Sequence, residues 1–208
     1  MGGVPANPRD CSIGGETMIL SNVDILKAID QKKIIIDPLD RTNLRAASIE
    51  VKLGDCIQVY ESSLEIVDSK MKSSGEQMKS IRLEPNQFFI LNPDRFALAV
   101  TREWIDLSND LTGRLDGISG IGRLGIAVHL NEGYISPGFS GKITFSIKNL
   151  NNLPIKIYSG MNICQIAFTK LTSQFSSHEL RNEDMRFMSS KNMNEDFVKS
   201  CSEGKLAC

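Results

Sequence analysis

Residues 113–141 read GRLDGISGIGRLGIAVHLNEGYISPGFSG, and two pieces of this stretch have the residue types for ligand chemistry. The first is a small-residue turn, Ile118-Ser119-Gly120, followed by a single guanidinium at Arg123. Turns rich in Gly and Ser present backbone N–H groups, and a nearby arginine adds a fixed, bidentate positive charge. The pair suits an anion such as a phosphate chain. The second piece is a hairpin punctuated by Gly and Pro, from Gly133 to Gly141, that carries Tyr134, Ile135 and Ser136. Ser136 can hydrogen-bond a hydroxyl, but without a partner it is no base near neutral pH. Tyr134 could stack on a ligand or be an ordinary hairpin aromatic. Arg123 also has a plain alternative, a surface ion pair of little energetic weight.

These groups need a scaffold, and its pattern is mostly strand. Ser21 can cap a helix opening at Asn22, Asp24 places an acid in the first turn, and Val23, Leu26 and Ile29 recur at helical spacing. The helix should stop near Lys32, because Ile34-Ile35-Ile36 is β-branched and Pro38 follows. The alternation in SIEVKLG, residues 48–54, predicts a half-buried strand closed by a turn glycine, with a second short strand over 57–60. Residues 61–80 are polar and predict a loop. Further strands are expected over 81–83, 88–91, 96–101, 111–116, 126–130, 142–148, 155–158 and 164–171. Many short strands between Gly, Pro and Asn turns predict a mainly β protein. The expected form is a distorted jelly-roll or β-barrel with one N-terminal helix packed outside it. The folded domain is placed at 18–172. Residues 1–17 precede a natural start at Met18 and are expected to be an extension or a tag remnant. Residues 173–208 show no alternation and are expected to form a C-terminal arm with some helix over 194–200.

Composition narrows the function. With 208 residues the chain can bury a substantial core as one domain. A net charge of −1 gives no global attraction for nucleic acid, so no nucleic-acid partner is expected and phosphate recognition must be local. Five cysteines without a Cys-x-x-Cys pair argue against zinc and against a disulfide framework, and for reduced thiols in the cytoplasm. No apolar run approaches the roughly 20 residues of a membrane span, so no membrane partner is expected.

The order of these pieces resembles the dCTP deaminase branch of the dUTPase superfamily. The resemblance runs from about Met18 to about Leu171. MILSNVDILKAIDQKKIII resembles the family's N-terminal helix, SIEVKLG an early strand, and FALAVTREWIDLSNDLTGRLDG the approach to the phosphate motif. SGIGRLGIAVH resembles that motif itself, GYISPGFSGKITF the nucleoside hairpin, and IYSGMNICQIAF the penultimate strand with its Gln165. Six motifs in order carry the resemblance where one would not. It implies a dUTPase-like β fold, a homotrimer with nucleotide sites at subunit interfaces, and a deoxynucleoside triphosphate ligand (dCTP or dUTP) that brings magnesium with it. It implies no zinc, and the sequence has no His-x-Glu with a Pro-Cys-x-x-Cys partner.

Against that pattern the chemistry is thin. The family's phosphate motif carries an arginine where this chain has Ile118; Ser119, Gly120 and Arg123 remain as expected phosphate binders. The hairpin's usual Ile-Asp is Ile135-Ser136, and Tyr134, Ile135, Ser136 and Gln165 are the expected nucleoside contacts. The deaminases' water-positioning glutamate falls on Ser146. Loss of a general acid/base costs about 10²–10⁴ in rate, so no residue is assigned as catalytic and no metal ligand is assigned. Glu132, a solvated loop carboxylate on the plain reading, is the one substitute in reach. His129 ends the strand after the phosphate motif and reads as a structural hydrogen-bonder. In the arm only Arg186, Phe187 and Lys191 align loosely with the family's closing segment, and His178 reads as an ordinary tail residue. The expected function is a dCTP deaminase-like nucleotide-binding protein that is weak or inactive in the ancestral reaction, dCTP plus water to dUTP and ammonia. The alternatives are an active dCTP deaminase or dUTP diphosphatase with rearranged residues, and a β module that binds no nucleotide.

Overall fold

In the computed structural model, which describes residues 18–60, 66–67, 78–130, 133–174 and 205–206, Ser21 Oγ accepts the Asp24 N–H at 3.3 Å and caps helix α1 (Asn22–Asp30). The buried face of α1 is Ile25 and Ala28, with Ile29 packed beside them; Val23, expected on that face, is 68% exposed. Strand β1 (Ile34–Asp37) buries alternate residues, Ile34 and Ile36, and pairs antiparallel with β5 (Phe96–Leu107). Lys33, just ahead of β1, forms an ion pair with Asp110 in the turn after β5.

The remaining strands are β2 (Ile49–Tyr60), β3 (Met78–Arg82), β4 (Phe88–Leu91), β6 (Leu111–Gly117), β7 (Ile126–Val128), β8 (Tyr134–Ile135), β9 (Ser140–Asn149), β10 (Ile155–Tyr158), β11 (Asn162–Lys170) and β12 (Lys205–Leu206). One curled sheet runs β7-β9-β5-β2-β11-β6-β8, with β1 attached to β5 and β3 to β2, while β4 and β10 form a separate pair. Fully buried Phe145, Phe168, Leu53, Leu83 and Leu115 anchor the interior. This is the mainly β protein with one N-terminal helix that the sequence predicts, its strands joined in a curled sheet. No helix among the described residues is long and apolar enough to cross a membrane.

Several boundaries differ, each for a physical reason. Gly54 does not close a strand: β2 runs through it as one element, with a register shift against β5 between Leu53 and Ile57. A Cβ at Gly54 would lie 2.9 Å from the Val100 carbonyl oxygen, so the glycine serves close strand approach rather than a turn. β5 likewise continues past Thr101 through a bulge. Side chains take over the interrupted ladder there. Thr101 Oγ1 donates to the Glu103 carbonyl at 2.8 Å and accepts the Ile143 N–H at 2.9 Å. The carboxylate of buried Glu103 accepts the Lys52 N–H at 2.9 Å. β3 starts at Met78, inside the expected loop, and β7 stops at Val128, because His129 adopts φ 48° and leaves the strand. Lys205–Leu206, in a tail read as strandless, pairs parallel with β3. Cys56 is disulfide-bonded, which corrects the reduced-thiol expectation, and Cys164 is free and buried.

Candidate functional site

The small-residue turn is a helix. Residues Ser119–Arg123 form α2, a single turn and a half with Ile118 at its N-cap. The run SGIGR carries no periodicity that would announce a helix, which is why its sequence reads as a turn. Ile121 is buried and pins α2 to the core, and Ile118, half-buried, packs on the same core. Ile118 supplies no side-chain cap. The first N–H groups of a helix lack intrahelical partners, so Ser119 and Gly120, both exposed, present donors outward. Arg123 is exposed in the last turn and has no ion-pair partner among the described residues.

β6 leads into this turn from one side and is flanked by the other expected contacts. On one edge β11 places Gln165 opposite Asp116, next to Gly117 at the start of the turn. Gln165 Oε1 accepts the Ser48 hydroxyl at 2.8 Å, and on its far side Gln165 pairs with Glu50 of β2. On the other edge β8 places Tyr134 opposite Arg114 and Ile135 opposite Gly113. Tyr134 is 67% exposed, while the Ile135 side chain is buried and its carbonyl accepts the Thr112 hydroxyl at 2.7 Å. Gly117 is three residue steps along β6 from Arg114, so Tyr134 lies about 10 Å along the strand from the turn. Ser136 follows, half-buried, its carbonyl accepting the Phe139 N–H at 3.2 Å.

Ser146 sits on β9, fully buried. Its Oγ accepts the Leu130 N–H at 2.9 Å and its carbonyl accepts the His129 N–H at 2.7 Å. The hydroxyl is therefore part of the framework that holds the chain as it leaves β7. The His129 ring stands against Asp116, with Nε2 3.4 Å from Oδ1, and Arg114 Nε lies 3.5 Å from the same carboxylate. A side chain at Gly133 would meet the His129 ring at 3.2 Å and the Leu115 carbonyl at 3.1 Å, so the hairpin closes onto the histidine.

Carboxylates in the neighbourhood are already engaged. Arg45 holds both oxygens of Glu50 at 2.7 and 2.9 Å, which keeps that carboxyl below the usual range, and Asn162 donates to it at 2.7 Å. Sequence reasoning missed the row Glu50–Gln165–Asp116. The alternation in SIEVKLG exposes Glu50 on a polar face, but only strand order brings it beside Gln165. Among the described residues no group of three His, Cys, Asp or Glu could hold a metal ion. Glu132 lies outside the described residues, as do His178, Arg186, Phe187, Lys191 and the helix expected over 194–200.

Comparison with known proteins follows the same outline. A family model described as dCTP deaminase-like matches residues 19–171. A dUMP-forming dCTP deaminase of Dictyoglomus thermophilum is 36% identical over 88% of this chain and 98% of its own length. One from Hydrogenobaculum sp. is 42% identical over 74% of this chain and 83% of its own length. The crystal structure of 2'-deoxycytidine 5'-triphosphate deaminase from Agrobacterium tumefaciens shares the fold, with a TM-score of 0.59 at 20% identity. That match covers 74% of this chain and 48% of the Agrobacterium protein, so this chain spans about half its length.

Proposed function

This chain belongs to the dCTP deaminase-like family, and from that premise we propose that it binds a deoxynucleoside triphosphate, dCTP or dUTP, without deaminating it efficiently. The observation that carries this reading is Ser146. Where the family's water-positioning glutamate is expected, the side chain is a buried hydroxyl already accepting the Leu130 N–H. It offers no carboxylate to take a proton from water. The phosphate chain would be held by the N–H groups and hydroxyl at Ser119 and Gly120 and by Arg123, and the nucleoside by Tyr134, the Ile135 backbone, Ser136 and Gln165. Replacing the expected arginine by Ile118 removes one charge-assisted partner, about 1.5–3 kcal/mol, or one to two decades in affinity. Magnesium would arrive with the triphosphate, held chiefly by its phosphate oxygens. We further propose a homotrimer with one site at each subunit interface, which a mass measurement in solution tests.

One observation favours a second reading, an active enzyme that deaminates dCTP or hydrolyses dUTP. The similarity to the Dictyoglomus thermophilum protein, whose name is dUMP-forming dCTP deaminase, runs over 98% of that protein's length. Incubation with magnesium and dCTP or dUTP, reading ammonia and pyrophosphate, separates the two. Binding is read by thermal shift, since a ligand at 100 times its dissociation constant stabilises by about 2.7 kcal/mol.

A further inference from the structure

Beside the β2–β5 bulge lies a cleft of about 510 Å³ whose lining includes Gly54, Asp55, Asn86, Arg102, Lys142 and Ser159. None of these residues belongs to the candidate nucleotide site. The bulge builds the cleft. The register shift in β5 leaves Arg102 exposed and Glu103 buried, so the carboxylate turns into the protein and the guanidinium out of it. β9 is paired with β5 here through Trp104 and Lys142, which brings a second cation to the same surface. The β10–β11 turn at Ser159-Gly160 closes the third side, with the Gly160 N–H tied to the Leu53 carbonyl at 2.8 Å. Gly160 adopts φ +81°, a backbone conformation that favours glycine, and Arg102 Nη1 lies 4.0 Å from where a Cβ there would stand, so the guanidinium borders this turn.

Charge decides what such a cleft would take. Its one lining carboxylate, Asp55, is 3.6 Å from Arg82 and so is partly neutralised within the chain. Arg102 has no ion-pair partner among the described residues. Two cations from neighbouring strands, a serine hydroxyl and the Asn86 amide surround a space without large apolar groups. Arginine forks are suited to phosphate oxygens, and lysine adds a point charge. We infer that this cleft is a second anion site, separate from the α2 turn, that takes a small phosphorylated ligand of the diphosphate class.

Pyrophosphate is the probe. The measurement is made in Arg123→Ala protein, so that the α2 turn does not supply the binding, by isothermal titration at low and moderate salt. Saturable binding is expected that falls about ten- to a hundredfold when Arg102→Ala is added, the loss of one charged hydrogen-bond partner. Ser159→Asp, which places a carboxylate in the cleft, is expected to weaken it comparably without touching the core. Circular dichroism confirms that both variants fold, and since both residues are at least partly exposed neither substitution disturbs packing. No saturable binding of pyrophosphate in Arg123→Ala protein would overturn the inference. So would binding that is unchanged by both Arg102→Ala and Ser159→Asp.

Discussion

The Leu130 N–H donates to Ser146 Oγ at 2.9 Å across the space between the end of β7 and the middle of β9. This bond makes Ser146, the residue expected at the water-positioning glutamate's place, a piece of framework. The backbone of His129 bonds the same residue through its carbonyl, so two successive amides of the segment leaving β7 depend on Ser146.

Ser146→Ala is therefore expected to destabilise the fold by about 1–3 kcal/mol, the cost of an unpaired, partly buried N–H. Denaturant unfolding with an unchanged slope would show it. A change under about 0.5 kcal/mol would mean that Leu130 finds water instead.

Arg123→Ala is expected to weaken dCTP binding about ten- to a hundredfold, with little effect on stability, because the side chain is exposed and holds no partner among the described residues. Titration calorimetry with magnesium present reads this. Unchanged affinity would remove α2 from the ligand site.

The double substitution Ile118→Arg with Ser146→Glu restores the leading guanidinium and the missing carboxylate together. Measurable ammonia release from dCTP is expected in the variant. If none appears, the pocket has changed shape as well as charge.

Glu103 gives a pH signature. Burial pushes its carboxyl above the usual range, against the lowering effect of the Lys52 N–H. The folded state thus holds this proton more tightly than the unfolded chain. Stability from this group is greatest at pH values below an ordinary carboxylate pKa and declines as pH rises toward the folded value. Glu103→Gln keeps an acceptor for Lys52 and is expected to flatten that decline, leaving the acid limb set by Glu50, Asp110 and Asp40, whose lowered pKa values work in the opposite sense. Unfolding midpoints across pH 4 to 8, compared between the two proteins, test it. Parallel curves would contradict it.

Much of this molecule is legible in its residues. Ser21 and Asp24 announce the start of α1, and the alternation of β2, β6 and β11 gives the sheet. What stays hidden is cooperative. Gly54 looks like a turn because nothing local says that Val100 will lie against it. Ile25 and Ala28 are the buried face of α1, rather than the Val23–Leu26–Ile29 stripe, because β1 and the sheet decide which side is covered. The SGIGR helix is too short to show a period. At the candidate site, the uncharged side chains of Ile118, Ser136 and Ser146 can be read directly, but the engagement of Ser146 with Leu130 depends on β7 lying beside β9. Cys56 illustrates the same limit, since nothing in its local sequence announces its disulfide.

The decisive measurement is a paired one on the purified wild-type protein: dCTP with magnesium, ammonia release followed alongside the melting temperature. Stabilisation by dCTP with no ammonia above a protein-free blank is the expected result. Sustained ammonia release that scales with protein concentration would contradict the proposal that the pocket binds but cannot activate water.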